Sequence, residues 1–326
     1  MKCRLLALAI LSWPASAASA PPQRCTMSAG EKAWVDGALA ASDYVMERRL
    51  HLPRAPYPTI VLFNDHCRFE SPAGPRVRWA GTPHDGKIRL GDQTIDAGIV
   101  SFTGNDDKSG QTFFVMALPS VWEAAKAAKP GDNGLQAVFL HEFSHTRQAP
   151  VLKRYFDAAA KVYPVPDDLS DDSVQARFKS DRAYVAAFEK ESNLLYRAAA
   201  EPDSSKARDF ARQALALMEA RQKRWFTGAD AMWTAYDDIF LTMEGFGQWN
   251  AYAWLADPKG GAMSPAAALK KMRGSTWWSQ DEGLALFLVI DRFVPGWAAQ
   301  AFASPPKLGI DLLREAVGRP AAKPAS

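Results

Sequence analysis

Cysteine is scarce in this chain: 326 residues hold three, Cys3, Cys25 and Cys67. That excludes a scaffold built on many disulfides and any zinc module that needs four thiolates. An excess of one charge is missing too, since 39 Lys and Arg stand against 36 Asp and Glu, a formal charge of +3. No basic run is interleaved with aromatics, so nothing points to nucleic acid as a partner. Long apolar runs are few. Gly283 to Val294 is shorter than the roughly 20 residues a bilayer requires and stops at Pro295, so it reads as a buried helix and no membrane span is expected. No repeat of fixed period is visible. Histidine is limited to five positions, which makes any close pair of them informative.

The chain does contain the material of a globular core. Hydrophobic residues make up 48% and charged residues 23%, with eleven Trp and seventeen Phe, a balance that fits a folded domain rather than a disordered or membrane-embedded chain. The first twenty residues differ from the rest. Met1 to Arg4 carry two positive charges, Leu5 to Trp13 are almost wholly apolar, and Pro14 to Ala20 are mostly small. That order predicts a signal peptide over residues 1–20, with cleavage after Ala17, Ala18 or Ala20, and hence a secreted or periplasmic protein. Losing Lys2 and Arg4 leaves 37 basic against 36 acidic residues, a net charge of +1. Cys3 leaves with that segment, and in an oxidising compartment Cys25 and Cys67 are expected to pair, against the alternative of two separate buried thiols.

Hydrophobic periodicity and turn residues divide the remainder into two parts of one domain, residues 21–317. Residues 21–118 read as a helix (Ser28 to Leu50) and a small sheet, with strands at Thr59 to Phe63, Lys87 to Leu90, Thr94 to Phe102 and Thr112 to Leu118. Residues 119–317 read as helical almost throughout, with segments near 120–128, 134–148, 150–162, 178–200, 206–226, 232–256, 264–272, 282–293 and 309–316. Residues 318–326 are Ala- and Pro-rich and read as a disordered tail. The expected class is α+β, mostly helical with a small N-terminal sheet.

Chemistry concentrates in Val138-Phe139-Leu140-His141-Glu142-Phe143-Ser144-His145-Thr146-Arg147, which carries the pattern H-E-x-x-H. Residues four apart share one helix face, about 6 Å apart along the axis, so His141 and His145 can turn two imidazoles toward one metal ion. Glu142 borders the same place and is suited to take a proton from water and hand it to a leaving group. Zinc is the expected metal, because it lowers the pKa of a water ligand to roughly 7. A catalytic zinc usually has a third protein ligand. No His follows His145, so that ligand is a carboxylate or an upstream His.

The motif resembles the gluzincin branch of the zincin metallopeptidases, whose third ligand is a Glu on a later helix, often followed by Gly and then by small and aromatic residues. The resemblance covers the H-E-x-x-H helix and one later segment. It implies a zincin-like fold, a bound zinc ion and a peptide or protein substrate. Two segments fit the later pattern. Met243-Glu244-Gly245-Phe246-Gly247 lies 99 residues past His145 (244 − 145), and Asp281-Glu282-Gly283-Leu284 lies 137 past it (282 − 145). Both gaps are longer than those of compact gluzincins. Glu244 is preferred, because a mid-helix position with packing on both sides holds a ligand firmly, whereas Glu282 at a helix start also serves the helix dipole. Glu191 remains a third candidate, or with Asp237 and Asp238 a partner of a metal-bound imidazole.

Tyr236, Tyr252 and Arg147 are candidates to stabilise an oxyanion. The two tyrosines, however, each stand eight residues from Glu244, about 12 Å along a helix, and are not adjacent to it unless the helix bends. His51, His66 and His84 lack ligand spacing and read as surface or loop residues. The run Arg221-Gln222-Lys223-Arg224 reads as a solvated face near a helix end. The expectation is therefore a zinc metallopeptidase with metal ligands His141, His145 and Glu244 and catalytic Glu142. The alternatives are a zinc hydrolase of another amide or ester, and a zinc-binding protein without turnover.

Overall fold

A computed structural model of the chain describes residues 25–91, 93–106, 109–129 and 133–318. The expected signal peptide lies outside the described residues, as do residues 319–326 of the expected tail. Gly318 is instead the last residue of a helix.

Ser28 opens the first helix, α1 (Ala29–Tyr44), through a capping box: its hydroxyl accepts from the Glu31 N–H at 3.2 Å, and its own N–H donates to Glu31 Oε2 at 2.7 Å. The helix expected to reach Leu50 changes to a π-helical turn at Val45–Arg49. Seven strands follow: β1 (Thr59–Phe63), β2 (Cys67–Ser71), β3 (Ala80–Pro83), β4 (Lys87–Leu90), β5 (Gln93–Asp96), β6 (Ser101–Asn105) and β7 (Thr112–Ala117). Five form one sheet in the order β3-β2-β1-β7-β6, with β1 and β7 parallel at its centre and the other pairs antiparallel; β4 and β5 form a separate hairpin. The strand expected over 94–102 is thus two strands. The chain leaves the hairpin after Asp96 and joins the sheet at Ser101, and changing sheets requires the bend between them.

The apolar run of β1 is explained by burial on both faces. Ile60 and Leu62 join a core with Phe114, Met116, Phe139 and Phe143, while Val61 and Phe63 face Ile88 and Leu90 of the hairpin. The disulfide Cys25–Cys67 is present and fastens the first described residue to β2.

Eleven helices are found among the described residues. After α1 come α2 (Pro119–Ala124), α3 (Asn133–Val162), α4 (Ser173–Phe178), α5 (Arg182–Ala200), α6 (Ser204–Trp225), α7 (Trp233–Ala256), α8 (Pro265–Met272), α9 (Trp278–Phe293), α10 (Trp297–Ala301) and α11 (Gly309–Gly318). The two helices expected at 134–148 and 150–162 are one, α3, with Pro150 inside it. An interior Pro costs a helix about 3 kcal/mol, offset here by burial on both sides of it, at Leu140 and Leu152. The helix expected over 178–200 starts later, because Asp181 accepts from the Ala183 and Tyr184 N–H groups and caps α5.

The class is α+β, as composition and periodicity predict. α7 is its central rod, with buried residues from Trp233 to Leu255 on every face, packed between α3 and α9. α3 lies between α7 and the sheet, its Phe139 and Phe143 stacked on each other at 5.1 Å and edge-on to Phe114. Among the described residues no helix is long and apolar enough to cross a membrane.

Candidate metal centre

His141 and His145 leave α3 on the face turned toward α7, and Glu244 leaves α7 toward α3; all three are buried. His141 Nε2 lies 3.1 Å from His145 Nε2 and 3.1 Å from Glu244 Oε2, and His145 Nε2 lies 3.5 Å from Glu244 Oε1. Tetrahedral zinc with bonds near 2.0–2.1 Å separates its ligand atoms by about 3.3 Å. The three donor atoms already stand at that spacing.

Their chemistry agrees. His145 Nδ1 donates to Gln148 Oε1 at 2.8 Å, which leaves its Nε2 as a lone pair aimed at the other two. Two imidazole lone pairs and a carboxylate cannot converge without a cation between them. Burial opposes charge on His141, but the Glu244 hydrogen bond and charge outweigh it and raise the pKa. Burial likewise pushes Glu244 up, and the two histidines more than reverse it. His145 is moved down by burial. Gln280, held by Gln248 at 2.9 Å, donates to the Glu244 carboxylate.

Two glycines let this happen. A Cβ on Gly247 would stand 2.9 Å from His141 Cε1 and Nδ1 and from His145 Cε1, so only glycine leaves α7 flat enough for both rings. A Cβ on Gly245 would meet Gly283 O and Phe287 Cδ2 at 2.5 Å, and its absence lets α9 press against α7. The Glu-Gly-Phe-Gly sequence is thus one helical turn that presents Glu244 on one side and packs on the other.

The group faces a cleft of about 650 Å³ lined by Ser101, Phe102, Thr103 and Asn105 of β6, by Glu142, His145, Leu152 and Phe156 of α3, by Phe240, Met243 and Glu244 of α7, and by Asp171. Its wall at β6 is a sheet edge, paired only to β7 on its inner side and pinned to α3 where the Thr103 hydroxyl donates to the Glu142 carbonyl at 2.7 Å. The Glu142 side chain opens into the cleft. Burial pushes its carboxyl up to about 7, with His141 opposing and Glu244 adding; a divalent cation beside it favours the ionised form.

The other candidates lie elsewhere. Glu282 and Glu191 are buried around Arg221, which also meets Asp237 at 3.1 Å and the Tyr184 hydroxyl at 2.6 Å. Arg221, read from sequence as solvated, is 1% exposed, while Lys223 and Arg224 of the same run are exposed. Asp237 and Asp238 bond Arg221 and Gln222 rather than a metal-bound imidazole. Tyr236, Tyr252 and Arg147 do not line the cleft; Arg147 turns away and donates to Pro53 O. His51 and His66 are exposed, and His84 is half-buried beside Asn64 O. Asp171, Gln148 and Gln280 were not singled out in the sequence. Asp171 sits in the Pro- and Asp-rich stretch 164–172, where only a chain break is readable.

Among the described residues this His-His-Glu triad is the group able to hold a metal ion. The chain matches no protein family, no curated protein and no solved structure. What the site does must be argued from its geometry.

Proposed function

We propose that the chain is a zinc-dependent peptidase of zincin type, working after export across a membrane. The observation that carries this reading is the spacing of the three donor atoms, 3.1, 3.1 and 3.5 Å apart, at the wall of a cleft bordered by Glu142 and a free strand edge. His141, His145 and Glu244 would hold the ion. Zinc, when bound, supplies a Lewis acid that acidifies water and polarises an acyl oxygen.

Glu142 does the proton work. Its carboxylate takes a proton from the attacking water and returns it to the leaving nitrogen, a role worth about 10²- to 10⁴-fold in rate. Gln148 and Gln280 hold His145 and Glu244 in place. The unpaired backbone groups of β6 suit an extended peptide, which can add as a further strand, and this favours a peptide over a compact ester as substrate. The disulfide fits an oxidising compartment.

The test joins metal content with turnover. Purified protein is expected to hold one zinc per chain, lost in His145→Ala and in Glu244→Ala. Glu142→Gln is expected to keep zinc and to lose at least about 100-fold of its activity on a peptide mixture. Folded wild type that takes up no offered zinc would overturn the metal reading. Zinc retained by Glu142→Gln with undiminished cleavage would overturn the mechanism.

A further inference from the structure

The walls of the cleft carry more negative charge than the metal centre uses. Glu142, Glu244 and Asp171 all line it, and Lys153 is the one Lys or Arg among the lining residues. Lys153 is already neutralised, bonding Asp157 one turn along α3 at 2.7 and 2.8 Å. A divalent ion would balance Glu244 and Glu142, leaving Asp171 over. Its carboxylate is half-buried, and its own backbone N–H is its hydrogen-bond partner; no Lys or Arg among the described residues pairs with it. Burial, then the charges of Glu244 and Asp172, push its pKa up to about 7, with its own backbone N–H and His141 opposing, and Asp172 has a buried Oδ1 with no hydrogen-bond partner among the described residues. A lone carboxylate in a half-closed cleft is costly until a cation meets it.

We propose that Asp171 makes the site selective for substrates that carry a cationic group, an ammonium or a guanidinium, next to the bond being cut; this rests on the peptidase reading above. The place of Asp171 supports it. Asp171 borders the cleft together with β6, α3 and α7, so the residues flanking a bond held at the metal pass within its reach. The apolar neighbours Leu169, Phe156 and Leu152 suit the methylene stem of Lys or Arg, whose charged end then meets the carboxylate.

The test uses the zinc-loaded full chain and a mixture of synthetic peptides containing every residue pair, with cut sites read by mass spectrometry. Bonds flanked by Lys or Arg are expected to be cut about 10- to 100-fold more efficiently than the same bonds flanked by Glu, the range of a charge-assisted hydrogen bond. Asp171→Asn is expected to flatten that ratio and Asp171→Lys to invert it, with zinc content unchanged in both. Cleavage without basic preference, or a preference that survives Asp171→Asn, overturns the proposal and leaves the peptidase reading standing. If the wild type cuts nothing, that reading fails, and calorimetric titration with argininamide decides. Binding weakened at least tenfold by Asp171→Asn upholds the cation site; equal binding, or none, overturns it.

Discussion

Two demands meet at Gln148. Its Oε1 accepts from His145 Nδ1 at 2.8 Å and its Nε2 donates to Thr242 O of α7 at 3.2 Å, so one side chain fixes a ring tautomer and ties the two ligand-bearing helices together. Gln148→Ala is expected to weaken zinc about 10- to 100-fold and Gln148→Glu to preserve affinity, as measured by competition with a chelator; an unaltered Ala variant would remove Gln148 from the site. At Arg221 the problem is excess negative charge. Glu191, Asp237 and Glu282 surround one guanidinium, and burial followed by the charge of Glu191 raises Glu282 well above the usual carboxyl range, while Glu191 is pushed up to about 7. A group with a raised folded pKa keeps its proton after the unfolded chain has lost it, so unfolding releases a proton above about pH 4.5 and stability falls as pH rises toward 7 and beyond. Glu282→Gln supplies that hydrogen permanently. Its stability relative to wild type, from urea unfolding, is therefore expected to be greater at pH 8 than at pH 5; a difference independent of pH would mean the pair holds no shared proton.

At the scale of elements, the site depends on how closely α7 can approach its neighbours. Leucine-sized side chains hold packed helices 8–10 Å apart, and α7 presents glycine at the two points where less room is needed. Gly247→Ala places a methyl against both imidazoles. It is expected to weaken zinc by roughly tenfold or more with little loss of helix content by circular dichroism, since Ala itself favours helix. Full zinc affinity in that variant would show that the rings have room the distances deny. Pro150 carries a related lesson: a local helix breaker is tolerated in α3, whose N-terminal half is buried and whose remainder is anchored by Leu152 and Ala159. The edge strand β6 shows the opposite balance, since its sequence Ser-Phe-Thr-Gly-Asn is poor in strand formers and is held by pairing with β7 and by the Thr103 bond to α3.

For the whole molecule, one cluster of buried apolar residues runs from Val35 in α1 through the sheet to Ala316 in α11, and the disulfide closes a separation of 42 residues at its N-terminal side. Loop-closure entropy for that length corresponds to about 4 kcal/mol, so Cys25→Ser with Cys67→Ser is expected to lower the unfolding free energy by up to that amount in denaturant titration; no change would place the stabilising contacts wholly in the core. The sequence by itself determined whatever a short stretch can encode. It set the helix that turns His141 and His145 to one side, because i and i+4 share a face in any α-helix. It set β1, because an apolar run between turn residues is enough, and the start of the first helix at Ser28. It also marked Glu244, through the glycine beside it and its place in the middle of a long helix. Tertiary structure alone decided the rest. Glu191 and Glu282 stayed open as alternative ligands until Arg221, distant in sequence, came to lie between them. Asp171 is a plain loop aspartate until folding sets it in one cleft with Glu142 and Glu244. Charges, unlike turns and helix faces, take their meaning from neighbours brought together through space, and the order of residues along the chain does not specify which those will be.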